Sequence, residues 1–148
     1  MFQDVTERSS FYGTPLGKIA TRLIRRQIRS LWPSVKGIDV MGLGFANPYL
    51  ETYRQEADHV IEIMPSQQGV IRWPRYKDHD KNRYGRYLGN VATLARETDL
   101  PTKDASMDRI ILAHSLEHTD YSKEMLREVW RTLAPGGRVI IIVPSRLG

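Results

Sequence analysis

Val139-Ile140-Ile141-Ile142-Val143 is an unbroken apolar run of strand-forming residues, and Pro135-Gly136-Gly137 stands just before it. A strand with one wet face alternates apolar with polar residues. A strand without alternation is covered on both faces, as in parallel sheets layered by helices. Upstream, Met125, Leu126, Val129, Trp130 and Leu133 fall at helical spacing. This predicts an amphipathic helix that starts behind Asp120 as N-cap, buries the stripe with Trp130 in the core, and is ended by the Pro-Gly-Gly. A helix that returns the chain into a doubly buried strand is the unit of a doubly wound α/β sheet.

The same alternation runs back along the chain. Residues 1–14 are polar and read as a loose arm. Pro15 suits a first helical turn, and Leu16, Ile19, Ala20, Leu23, Ile24, Ile28 and Leu31 then recur at helical spacing up to Pro33, with the arginines on the other side. Gly37–Gly42 reads as a strand running into a glycine turn, Pro48–Tyr53 as a helix, and His59–Met64 as a second strand stopped by Pro65. Residues 66–88 read mostly as loop. Asn90–Ala95 and Arg109–Ala113 are the third and fourth strands. Residues 15–148 are expected to form one domain behind the 1–14 arm.

At 148 residues with 41% hydrophobic and 26% charged residues, the chain is long enough for one core. It has no cysteine, so disulfides, thiolate metal sites and cysteine nucleophiles are excluded. No apolar run approaches the ~18 residues of a membrane span, and the first residues lack a signal peptide's apolar centre, so a cytoplasmic address is expected. The net charge of +5 is concentrated in 16–31 (Lys18, Arg22, Arg25, Arg26, Arg29) and 72–87 (Arg72, Arg75, Lys77, Lys81, Arg83, Arg86). Such segments either face an anionic partner or form a solvated surface.

Asp39-Val40-Met41-Gly42-Leu43-Gly44-Phe45-Ala46-Asn47 is the first candidate site: a strand into Gly-x-Gly with a helix to follow. Glycine lets the backbone bend sharply and approach a ligand, and ligands of such sheets sit at the carboxyl ends of the strands. Glu62, 20 residues after Gly42, can accept hydrogen bonds from two ribose hydroxyls. Asn47-Pro48 replaces the third glycine of a dinucleotide fingerprint and argues against a pyrophosphate on the helix start. His114 and His118 do not follow the zinc-protease pattern, since Ser115 rather than a glutamate follows His114, and no metal site is expected. His118 is a candidate general base, because imidazole titrates near neutrality.

The second candidate is a series in fixed order: Leu100-Pro101, Asp104-Ala105-Ser106-Met107-Asp108, a strand, Leu116-Glu117-His118, a helix, Leu133-Ala134-Pro135-Gly136-Gly137, and the last strand. Over about residues 36–145 this resembles the class I S-adenosylmethionine-dependent methyltransferases, most closely the small-molecule "type 11" kind. The resemblance implies a Rossmann-like parallel sheet of order 3-2-1-4-5, with S-adenosylmethionine as cofactor. Asp39, Gly42 and Gly44 would form the turn under its methionine part, and Glu62 would hold the ribose. Glu97 would lie by the adenine, although Arg96 occupies the more usual acidic position. Ala113 and His114 would lie beside the sulfonium, with Tyr12 capping the cofactor. Ala46 replaces the family's third glycine.

The family adds an antiparallel strand pair beyond strand five, so the chain reads as a truncated domain whose strand-five edge invites self-association. The expected activity is methyl transfer to a small-molecule acceptor. Two alternatives stay open at this point. One is a non-catalytic remnant of the fold. The other is an RNA-binding or RNA-modifying protein, resting on the helix arginines and on Trp73, Tyr76, Tyr84 and Tyr87 among basic residues.

Overall fold

The computed structural model describes residues 10–65, 73 and 92–145. Five strands lie parallel in the order β3-β2-β1-β4-β5. They are β1 (Asp39–Gly44), β2 (His59–Pro65), β3 (Ala92–Ala95), β4 (Met107–Ala113) and β5 (Leu133–Ile142). This is the expected Rossmann-like α/β order. β1 is central, with Gly42 opposite both Glu62 of β2 and Ile111 of β4.

Alternate residues of the central strands feed two cores. On one face Val40, Ile111 and Ala113 pack with helix α1 (Pro15–Leu31), short helix α2 (Asn47–Leu50) and the 3-10 turn Glu51–Tyr53. On the other, Met41, Leu43, Ile63, Ile110 and Leu112 pack against Met125 and Val129 of helix α3 (Ser122–Thr132). No helix among the described residues is long and apolar enough to cross a membrane.

α1 starts and ends where its sequence predicts, but a different face is buried. Thr14 caps it by accepting from the Gly17 amide at 3.0 Å, and Pro15 occupies the first turn. The buried residues are Gly17, Thr21 and Ile28, whereas Leu16 (67%), Ile19, Leu23 and Leu31 stay exposed. The arginines account for the rotation. Arg25 Nε donates to the Pro48 carbonyl at 2.5 Å, and Arg29 forks onto Glu56 at 2.8 and 3.1 Å while its guanidinium covers the Tyr53 ring. These cations bind the 48–56 segment, and the leucine stripe is turned outward.

The expectation for α3 is corrected in the same way. Met125 and Val129 enter the core, but Trp130 is 78% exposed and Leu126 is exposed beside it. Asp120 is not the cap: the helix begins after Tyr121, without a side-chain cap. β5 follows the helix directly at Leu133. Its pairing jumps from Met107↔Leu133 to Arg109↔Arg138, so the Pro-Gly-Gly bulges out of the strand, with Gly136 at φ +76°.

β5 pairs only with β4 among the described residues, and Ile141 and Val143 are exposed beside its outer edge. Open edges and contiguous apolar surface drive association. The isolated chain is expected to gain mass with concentration in light scattering, and Ile141→Lys with Val143→Lys to suppress this. The mass of one chain at every concentration would contradict it.

Candidate functional site

The carboxyl ends of β1, β4 and β5 are stitched together. Gly44 sits at φ +92°, and a Cβ there would run into the Ala113 carbonyl. The bend this allows sends the Phe45 amide to the Ala113 carbonyl at 2.8 Å. His114, next in line, adopts φ +53°, a conformation uncommon outside glycine, and its amide donates to Ile142 O at 3.1 Å.

Tyr12 closes this edge from above. Residues 10–13 are helical, and the Tyr12 ring stacks on Phe45 at a centroid distance of 5.2 Å. Its hydroxyl lies 2.6 Å from both Tyr49 Oη and His114 Nε2, and His114 Nδ1 lies 3.2 Å from Glu117 Oε1. An ionised carboxylate can only accept. Nδ1 therefore carries the proton toward Glu117; a neutral His114 would then accept at Nε2 from Tyr12, and a charged one would donate there. Burial pushes the Glu117 pKa up, but the His114 hydrogen bond and the nearby His114 and His118 outweigh it and leave the pKa below the usual value. His118 Nε2 reaches the same carboxylate oxygen at 3.7 Å. Both histidines thus converge on Glu117, and it is His114 that touches a hydroxyl at the sheet edge.

Two expected placements change. Asp39 opens β1, at the amino end of the strand. It bonds His59 Nδ1 at 2.7 Å and stands roughly 16 Å along the strand from Gly44, too far to line a turn at the other end. Gly42 is inside β1 rather than in the turn. A Cβ there would collide with Glu62 Oε2, Leu50 and Ala46, so this glycine makes room for the Glu62 side chain.

Glu62 itself is fully buried in the middle of β2. Its Oε1 accepts from the Ala46 amide at 3.1 Å, and its Oε2 has no partner among the described residues. The carboxyl points at the glycine bend, as expected, and braces it through the Ala46 amide. Burial raises its pKa well above the ordinary value, against a smaller opposing effect of the Ala46 hydrogen bond.

Glu97 lies beyond β3 at the same edge of the sheet. It is almost fully buried and accepts from Thr119 Oγ1 at 3.0 Å. Trp73 is no stacking platform: it is 5% exposed, its indole donates to Glu51 Oε2 at 2.9 Å, and Arg54 lies over its ring. Tyr76, Tyr84, Tyr87 and the other basic-segment residues from Arg75 to Arg86 fall outside the described residues. Of the expected site residues, Tyr12, Gly44, Ala113 and His114 come together. Sequence reasoning missed Phe45, Tyr49 and Glu117. The only signal for them was adjacency, to the glycine bend and to the Leu-Glu-His motif.

Comparison with known proteins agrees with this fold. A family model for a methyltransferase domain matches residues 38–141. The O-methyltransferase rstn1 of Aspergillus nomiae is 27% identical over 127 residues, covering 84% of this chain and 54% of that protein. The chain thus spans about half the length of this curated relative. Among solved structures, a Methanococcus maripaludis protein assigned to the S-adenosyl-L-methionine-dependent methyltransferases superposes with a TM-score of 0.66 at 16% identity, over 92% of this chain and 60% of that one. An S-adenosylmethionine-dependent methyltransferase of Mesorhizobium loti gives 0.57 at 19% identity, over 78% and 50%. The [4+2]-cyclase SpnF gives 0.62 at 21%, over 82% and 44%, so this fold also carries chemistry of another kind.

Proposed function

Since the chain belongs to the family of methyltransferase domains, we propose that the carboxyl edge of its sheet binds S-adenosylmethionine for methyl transfer to a small-molecule acceptor. The observation that carries this reading is the bare Gly44 bend, joined to Ala113 and walled by the stacked Phe45 and Tyr12. Glycine at this bend lets β1 and β4 close on each other at the carboxyl edge of the sheet, where ligands of such folds sit. The cofactor supplies an electrophilic methyl on a sulfonium. The backbone of Gly44–Ala46, with Ala113 and His114, would hold it. Glu97 marks the β3 side of the pocket, and the 1–14 arm places Tyr12 as its cover over the 15–148 domain.

In-line transfer needs alignment above all, and then removal of the acceptor's proton. His114 is better placed for that proton than His118. Its Nε2 lies 2.6 Å from the Tyr12 hydroxyl, and Glu117 holds the other ring nitrogen. The similarity to an O-methyltransferase favours an oxygen acceptor.

Calorimetric titration with S-adenosylhomocysteine tests the binding claim without a known acceptor. One site per chain is expected, in the range of about 1–100 μM, as for ordinary enzyme ligands. No heat and no thermal shift at about 1 mM, a concentration at which even weak enzyme ligands bind, would overturn it.

A further inference from the structure

Beside the proposed cofactor site lies a cavity of about 290 Å³, between α1 and the start of α2, lined by Tyr12, Lys18, Thr21, Arg22, Arg25 and Pro48. Three cations line it and no acid does. Among the described residues, no carboxylate lies within ion-pairing distance of Lys18, Arg22 or Arg25. This is unlike Arg29 and Arg131, whose guanidinium groups are taken up by Glu56 and by Glu128 with Asp104.

The cavity is also built. Arg25 is fixed in direction by the Pro48 carbonyl, and the buried Thr21 hydroxyl is anchored on Gly17 O at 2.8 Å. The volume is several times that of a water molecule at ~30 Å³, enough for a phosphate or a carboxylate on a short carbon frame. Concentrated positive charge with one guanidinium fixed in direction selects anionic oxygen groups.

Tyr12 connects this cavity to the chemistry. The same side chain lines the cavity and, through its hydroxyl, touches His114 Nε2 and Tyr49 Oη. We infer that the cavity takes an anionic group, phosphate or carboxylate, of the methyl acceptor, whose nucleophilic oxygen then lies toward His114. The inference rests on the function proposed above. The methionine carboxylate of the cofactor shares this chemistry, so the experiment has to separate the two sources.

The probe is inorganic phosphate, titrated at low ionic strength while amide resonances are followed, with and without saturating S-adenosylhomocysteine. Phosphate is expected to shift the amides of residues 18–25 at a single site. Arg22→Gln or Lys18→Gln should weaken it about tenfold, the loss of one charged hydrogen bond. Both side chains are exposed, so neither change threatens the fold. The phosphate affinity should be unchanged when S-adenosylhomocysteine is bound.

Competition between the two ligands would assign the cavity to the cofactor and overturn the inference. So would equal weakening by Arg127→Gln on α3, across the sheet, which would mark unspecific attraction. Binding of S-adenosylhomocysteine with no phosphate site overturns this inference alone. Failure of S-adenosylhomocysteine to bind removes the reading on which it rests.

Discussion

Gly44→Ala is expected to unfold the carboxyl edge and abolish S-adenosylhomocysteine binding. At φ +92° an L side chain is strained by about 1–3 kcal/mol. The new methyl would also press on the Ala113 carbonyl, the acceptor for Phe45 N. Either that hydrogen bond opens or β1 and β4 separate at their ends. The combined loss should be about 3–5 kcal/mol, among the largest for a single substitution. Denaturant midpoints give the stability loss, and calorimetry gives the affinity. Near-normal stability together with normal binding would show that the bend is not what shapes the site.

The second large effect concerns Glu62. With its pKa raised by burial, this carboxyl keeps its proton in the fold at pH values where the unfolded chain has lost it. The fold then binds more protons than the unfolded state, so stability falls as pH rises. The contribution is fully present below the ordinary value of 4.5 and is lost as pH climbs toward the raised one. The slope is about 1.4 kcal/mol per pH unit while the difference persists.

Glu62→Gln keeps an oxygen for the Ala46 amide and cannot ionise. Relative to the wild type it should gain stability steadily from pH 5 upward, when denaturant curves are compared across pH. Glu62→Ala should instead lose about 2–4 kcal/mol at low pH, because it leaves a hole beneath the bend and a buried Ala46 N–H without an acceptor, and since alanine does not ionise either this deficit should shrink as pH rises. A pH-independent gap between wild type and Glu62→Gln would mean that the carboxyl is not buried as described.

These two positions also mark how far the sequence could be read. The alternation of strands and helices, the limits of α1 and the parallel sheet follow from local patterns, because apolar runs, prolines and periodicity act within a few residues of themselves, whereas the strand order is implied by the family resemblance. Which face of a helix turns inward depends on distant partners. The α1 stripe is rotated out because Arg25 and Arg29 find Pro48 and Glu56, contacts that no helical period encodes. Trp130 is apolar and correctly phased for burial, but the sheet beside it supplies no described layer to receive it.

At the site, the glycine bend and the end of β4 were legible as motifs. The depth of Glu62 was not. A carboxylate at a strand end and one inside a strand look alike in sequence, and only the register opposite Gly42 shows that it is buried. The Tyr12–His114 contact joins residues 102 positions apart and leaves no local trace. Asp39 was misplaced for a related reason: the strand runs on through Gly44, so a residue read as adjacent to the turn belongs to the opposite end.

The central claim is that a nucleoside pocket lies where β1 and β4 end beneath Tyr12. Amide shift mapping with S-adenosylhomocysteine tests it most directly. The account expects the largest shifts at Gly44, Phe45, Ala46, Ala113, His114 and Tyr12, with Asp39 and the amino ends of the strands unmoved. Saturable shifts centred on any other surface, or none at millimolar ligand, would contradict it.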